Sequence, residues 1–225
     1  MYTANRRTGK SLLIRYLVQK LRTKFGCDSY LLLGSTGVAA INIGGSTIHS
    51  ALKIPLNSGN FKPLTGDVAR EFCNKMEKVK FIVLDEFSMV SCSLLGMIDK
   101  RIREGTGKDE PFGGLNVYLC GDYNQLPPVM GTALYGGVCH SELALHGRNV
   151  FDSFEAHCVL TKGHRQSDVI FQELLDRHQI LLSTKLLATR LQSYNSYGMP
   201  GTRLSGALLV ARLSVRSLIK SNTLI

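Results

Sequence analysis

The sequence predicts an α/β domain built on a mainly parallel sheet with helices on both faces. Three observations predict it. Short apolar runs recur at residues 30–35, 81–84, 115–120 and 158–161, as expected of strands buried on both sides. Segments of helical spacing alternate with them, notably residues 12–25 and 91–103. Polar clusters follow directly on the apolar runs, Asp85-Glu86 after residue 84 and Asp122 to Gln125 after residue 120. The carboxyl ends of strands form the rim on which open α/β sheets bind ligands.

Taking the elements in order, Leu12, Leu13, Tyr16, Leu17, Leu21 and Phe25 recur at helical spacing, and Gly26 supplies a helix stop. Residues 30–35 form a strand that runs into a glycine-rich turn region at residues 36–52. Residues 53–66 form a loop rich in Pro, Gly and Asn, and Asp67 caps a polar helix to Lys78. The run from Phe81 to Leu84 is the central strand. Leu94, Leu95, Ile98 and Ile102 give the next helix its apolar face, and residues 105–114 form a Gly-rich loop. After the strand at 115–120, Pro127 and Pro128 stiffen the exit. Residues 130–156 are a connection in which Phe151 and Phe154 are core, and a last short strand follows at 158–161.

A chain of 225 residues is long enough for one large α/β domain. It holds no run of 18 apolar residues and no charged-then-apolar leader, so neither a membrane anchor nor a secretory signal is expected. The six cysteines contain no C-x-x-C pair, which favours reduced thiols over a disulfide framework or a zinc site. His140, His146, His157 and His164 lie near Cys139 and Cys158 without a repeating ligand spacing. Net charge is +10, yet residues 177–225 hold seven Lys/Arg and no acid, leaving twenty basic against seventeen acidic side chains in the first 176 residues. The basicity is therefore weak support for a nucleic-acid groove in the main domain.

Two motifs carry chemistry. Thr8-Gly9-Lys10-Ser11 ahead of an apolar-faced helix reads as the back half of a phosphate-binding loop. The helix amino terminus and Lys10 would take phosphate oxygens, and the Ser11 hydroxyl would take Mg²⁺. The front half departs from the pattern, with Ala4 where glycine is usual and Arg7 before Thr8. At the end of the central strand, Asp85 would hold the Mg²⁺ that bridges the β- and γ-phosphates, and Glu86 would polarise the attacking water. The alternative is that Asp85 and Glu86 merely cap the following helix. Gln125 would sense the γ-phosphate or the attacking water, against the alternative of local turn bonding.

GSTGVAAINIGGSTIHSAL, FIVLDEFSMV, GDYNQLPPV and LTKGHRQ, in that order, resemble the Pif-one (petite integration frequency) helicases, a family also found within Helitron transposons. The likeness covers about residues 8–176. It implies a RecA-like P-loop NTPase domain of a superfamily-one, 5′-to-3′, ATP-dependent DNA helicase, with ATP and Mg²⁺ as cofactors. Lys10 and Ser11 match the family's phosphate and Mg²⁺ residues, with Thr8 and Gly9 in the same loop. Asp85 and Glu86 match its metal-binding and catalytic acids, Gln125 the glutamine that couples γ-phosphate to domain movement, and Arg165 an arginine on the γ-phosphate. Thr36, Gly37, Asn42, Thr47 and His49, with Pro128 nearby, would lie along the single-stranded DNA path. The implied partners are single-stranded DNA and duplex junctions. The implied roles are DNA repair, recombination and telomere maintenance, in the nucleus or alternatively the mitochondrion.

The resemblance also sets expectations by contrast. Such motors use two RecA-like domains, and only the first is legible here. The central strand feeding residue 8 is expected to be lacking, which would leave its neighbours with unpaired ladder groups and weaken ATP binding. Residues 177–225 form a basic tail unlike the family, disordered or else a basic helix with Arg212 and Arg216 one turn apart. Two other functions remain open, a non-catalytic remnant that binds single-stranded DNA and a generic P-loop ATPase.

Overall fold

The computed structural model describes residues 9–56, 59–122, 125–154, 156–160 and 207–212. Six strands form one sheet in the order β2-β1-β3-β4-β6-β5. They are β1 (Tyr30–Gly34), β2 (Ser46–Thr47), β3 (Phe81–Asp85), β4 (Asn116–Asp122), β5 (Ala156–Leu160) and β6 (Ala207–Arg212). The first four pair in parallel, and β6 runs antiparallel to both β4 and β5. Every residue of β3 is buried, as its apolar composition predicts for a strand covered on both sides.

Side chains alternate between two cores. Leu31, Leu33, Ile82, Leu84, Val117 and Leu119 belong to the larger cluster. It is closed by α3 (Ile48–Ala51), α4 (Gly66–Lys78), α5 (Cys92–Thr106) and α6 (Glu142–Asp152). Leu32, Val83 and Cys120 point to the other face, against Ile14 of α1 (Lys10–Phe25) and Ile43 of α2 (Gly37–Ile43). Helix α1 ends where its sequence says it should, with the Gly26 N–H donating to Arg22 O at 3.0 Å. Helix α5 is capped by Ser91, whose hydroxyl accepts from Leu94 N at 3.2 Å.

Several expectations need correction. The cap of α4 is Thr65, not Asp67, and Asp67 instead pairs with Arg70 inside the first turn. The glycine-rich stretch after β1 folds into two short helices, α2 and α3, rather than turns alone. The connection at residues 130–156 contains α6, which the glycines and polar residues of its sequence conceal. Tertiary contact explains why it forms: Gly147 lies so close to α5 that a Cβ would fall 1.9 Å from Cys92 O. Arg148 on α6 then holds the loop after β4 by donating to Ala133 O at 2.9 Å and Gly136 O at 3.0 Å. The outer edge of β4 is not left unpaired, because β6 takes it; Arg212 is the last residue of that strand and not part of a basic helix. The remainder of the expected tail, Arg216 included, lies outside the described residues.

Candidate functional site

The site lies at the carboxyl rim of β1, β3 and β4. Gly9 stands before α1 with φ 86°, a left-handed conformation in which glycine is the unstrained choice. No side chain caps the start of α1, and its first turn holds no acid. Among the described residues, the helix amino terminus thus keeps its first N–H groups uncapped by any side chain and its partial positive charge without an acid in the first turn.

Lys10 reaches across to the end of β3. Its Nζ lies 2.6 Å from Glu86 Oε1 and 3.2 Å from Asp85 Oδ1. Burial alone would lower the lysine pKa, but the two carboxylates together outweigh it and raise the ammonium above its usual value. Asp85 is 3% exposed and accepts from the Glu86 N–H at 2.9 Å. Glu86 itself sits in the left-handed region, φ 57° and ψ 46°, uncommon for a residue with a side chain. That turn stops β3 and brings both acids to one point. The capping alternative fails, because the next helix is capped by Ser91.

Cys120 on β4 lies beneath this cluster. Burial, reinforced by the negative charge of Asp85, pushes its thiol up to about 12. Asp122 ends β4 as a buried acid, and Gln125 follows after a turn in which its N–H donates to Asp122 O at 3.1 Å. Ser11 occupies the first turn of α1, half-buried. Thr8 and Arg165 lie outside the described residues.

The second group of expected residues forms a groove of about 580 Å³ beside this rim. Thr36, Gly37, Thr47 and His49 line it, together with Ser35, Ser50 and the apolar trio Ile54, Pro55 and Leu56. Both threonine hydroxyls are engaged as helix caps, Thr36 accepting from Ala39 N and Thr47 from Ser50 N. Burial lowers the His49 pKa, so its ring is neutral near pH 7. Asn42, exposed on α2, and Pro128, in the loop after β4, are not among the lining residues. Sequence reasoning missed Ser35, whose buried hydroxyl has no partner among the described residues, and Leu56, which stands 79% exposed at the groove's lip. A serine directly after an apolar strand was the available signal for Ser35; nothing in the Pro/Gly/Asn-rich loop singled out Leu56.

Among the described residues no cluster of His, Cys, Asp and Glu could hold a metal by protein ligands alone. No described helix is long and apolar enough to cross a membrane.

Comparison with known proteins places the chain in a family. The model of the PIF1-like helicase family matches residues 2–178. The ATP-dependent DNA helicase PIF1 of Saccharomyces cerevisiae strain YJM789 is 39% identical over 182 residues, covering 80% of this chain and 21% of that protein. PIF1 of Xenopus laevis is 31% identical over 218 residues, covering 90% of this chain and 32% of that protein. The solved structure of Bacteroides Pif1 bound to ssDNA is similar at TM-score 0.56 and 28% identity, covering 76% of this chain and 40% of that one. Pif1 from Bacteroides in complex with ADP-AlF3 and ssDNA aligns at TM-score 0.55 and 27% identity, again over 76% and 40%. The chain therefore spans about a fifth to a third of the length of these curated relatives. A RecA-like sheet, with a lysine on the first helix meeting an acid pair at the rim, accompanies these matches, and the chain belongs to the PIF1-like helicase family.

Proposed function

We propose that the chain carries the ATP-binding and hydrolysing part of a Pif1-type, 5′-to-3′ DNA helicase, as the first of its two RecA-like domains. One observation carries the reading: Lys10 and the Asp85-Glu86 pair, far apart in sequence, meet within 2.6 and 3.2 Å. Lys10 and the open amino terminus of α1, with Thr8 and Gly9, would hold the phosphates. Ser11 and Asp85 would hold Mg²⁺, which when bound neutralises charge developing on the transferred phosphoryl group. Glu86 would orient and deprotonate the attacking water once Lys10 turns from it to phosphate. Gln125, beside the buried Asp122, would report the state of the γ-phosphate to the rest of the motor, and Arg165 would contact that phosphate. The names of the relatives, and the nucleotide analogue bound in a similar structure, support ATP as the nucleotide.

The groove between Ser35 and Leu56 would take single-stranded DNA, with threonine and glycine along the backbone and the His49 ring and Leu56 against bases. Asn42 and Pro128 would flank that path rather than line it. Duplex junctions as substrate, roles in repair, recombination and telomere maintenance, and nuclear or mitochondrial residence belong to this same reading. The similarity to relatives named PIF1 and RRM3 supports it.

Equilibrium titration with a fluorescent ATP analogue and Mg²⁺ tests the nucleotide site. Binding is expected to be weak, because a polyphosphate must displace two carboxylates from Lys10, and it should vanish in Lys10→Ala. Binding indifferent to that substitution would overturn the assignment. Phosphate release stimulated by single-stranded DNA marks an active motor domain. DNA binding without any nucleotide binding would instead favour a non-catalytic remnant, a reading to which the groove alone lends support.

A further inference from the structure

The sheet contains one strand whose direction and origin fit none of the others. Helices α4, α5 and α6 cover the larger core on one face, and the β1-to-β3, β3-to-β4 and β4-to-β5 crossovers step through the sheet in one direction. The β4-to-β5 step skips a position, and that position holds β6, drawn from far along the chain. Helix α1 lies on the opposite face, against Leu32, Val83 and Cys120. Crossovers of parallel strands are right-handed almost without exception, so a crossover on the opposite face runs in the opposite direction. A strand that led into Gly9 and returned through α1 to β1 must therefore lie beyond β3 and β4. The place this rule assigns to it is the one that β6 fills.

We propose that the gap between β4 and β5 is a strand-acceptor site for one extended apolar segment, with residues 207–212 of the same chain as its antiparallel occupant. A parallel strand running into Gly9 is the competing occupant. The ladder is continuous on both sides: β6 pairs with Val117 to Asp122 of β4 and with Ala156 to Leu160 of β5. The need for an occupant is set by β4, which pairs with β3 on one side only, so that without a strand on its other side its outward N–H and C=O groups lose their ladder partners. Main-chain hydrogen bonding is what lets an extended segment add to the edge of a sheet. The proposal stands apart from the nucleotide reading, since it concerns main-chain pairing alone.

Two experiments on the full chain test it. Position 209 is in register with Cys120 on one side and Cys158 on the other, whereas position 208 is opposite Gly121 and Val159. Directly opposed residues of an antiparallel pair share a face at bridging distance. Leu209→Cys under mild copper-phenanthroline oxidation should form a disulfide within one chain to Cys120 or Cys158, and Leu208→Cys should not. Absence of that link, or a link only between two chains, overturns occupancy by the chain's own segment. Second, Leu209→Pro removes a ladder donor, and hydrogen exchange at residues 117–122 and 156–160 should quicken by about tenfold or more while β1 and β3 stay protected. A synthetic peptide copying residues 205–214 should restore protection in that variant. Unchanged exchange, or no rescue by millimolar peptide, defeats the acceptor site; if the proline unfolds the whole chain, the cysteine result decides.

Discussion

At the scale of single residues, charge and burial set the properties of the rim. Lys10 is held by two carboxylates, and its raised pKa makes a definite demand on stability. A lysine whose folded pKa exceeds its unfolded value contributes fully below the unfolded pKa and loses that contribution as pH rises through the folded one. The Lys10 contribution should therefore disappear only in strongly alkaline solution, and Lys10→Met should lessen the loss of stability there. Cys120 titrates in the same sense for a different reason: the folded protein keeps the neutral thiol up to about 12, while the unfolded chain ionises near 9.0. Above pH 9 this one group should tilt stability downward by about 1.4 kcal/mol per pH unit. Urea unfolding of wild type and Cys120→Ala between pH 8 and 10.5 measures it; parallel slopes for the two proteins would exclude the thiol as the cause.

At the scale of elements, α5 is the post around which the larger core is assembled. Its Asp99 is fully buried and accepts from Arg103 Nε at 2.6 Å and from the Phe112 N–H at 2.5 Å, with His146 Nε2 of α6 at 2.8 Å. One carboxylate thus ties α5 to α6 and fixes Phe112, which stands at φ 53° with its ring fully buried. Asp99→Ala strands the buried Phe112 N–H and takes a partner from His146 and from Arg103, which keeps Asp109, and should cost about 1–3 kcal/mol in thermal or denaturant unfolding. The α5 to α6 crossing makes a second, purely steric demand. A methyl group at Gly147 would meet Cys92 O at 1.9 Å and Gly96 N at 2.7 Å, both backbone atoms that cannot turn aside. Gly147→Ala should destabilise toward the upper end of about 1–3 kcal/mol, and because α6 carries Arg148, it should also loosen the loop after β4 that contains Gln125.

At the scale of the whole molecule, the two faces of the sheet are unequal. Among the described residues, the α1 face rests on a small cluster to which the helix contributes Ile14 as its one buried member, whereas the other face is closed by α4, α5 and α6 around most of the core. Local opening follows the thinner packing. Native-state hydrogen exchange should find α1 amides opening at lower free energy than those of α5 and β3, and equal opening energies would refute this asymmetry. A loosely held α1 also suits the proposed nucleotide site, in which Lys10 would leave its carboxylates for phosphate.

Much of this was legible from residues alone. The apolar runs located β1, β3, β4 and β5, and the spacing of apolar residues located α1 with its stop at Gly26 and α5, which runs on to Thr106, into the expected loop. The lysine and the acid pair were visible as motifs. Helix α6 was not, because Gly147 lowers its intrinsic propensity and only the close approach to α5 rewards that glycine. The DNA-path residues were read as one set, yet the fold puts Thr36, Gly37, Thr47 and His49 in a groove and leaves Asn42 and Pro128 outside its lining.

Local chemistry by itself determined most of the strands, the helices α1 and α5, and that the acid pair stands at the end of the central strand. Hydrophobic period and residue type are written along the chain, and they need no partner to be read. What only the folded structure decided was adjacency: that Lys10 lies on Glu86, that Ser35 joins His49, and that residues 207–212 close the sheet beside β4. Adjacency depends on which buried main-chain edge must find a partner and on which helices can approach, and both are set by contacts between residues far apart in sequence.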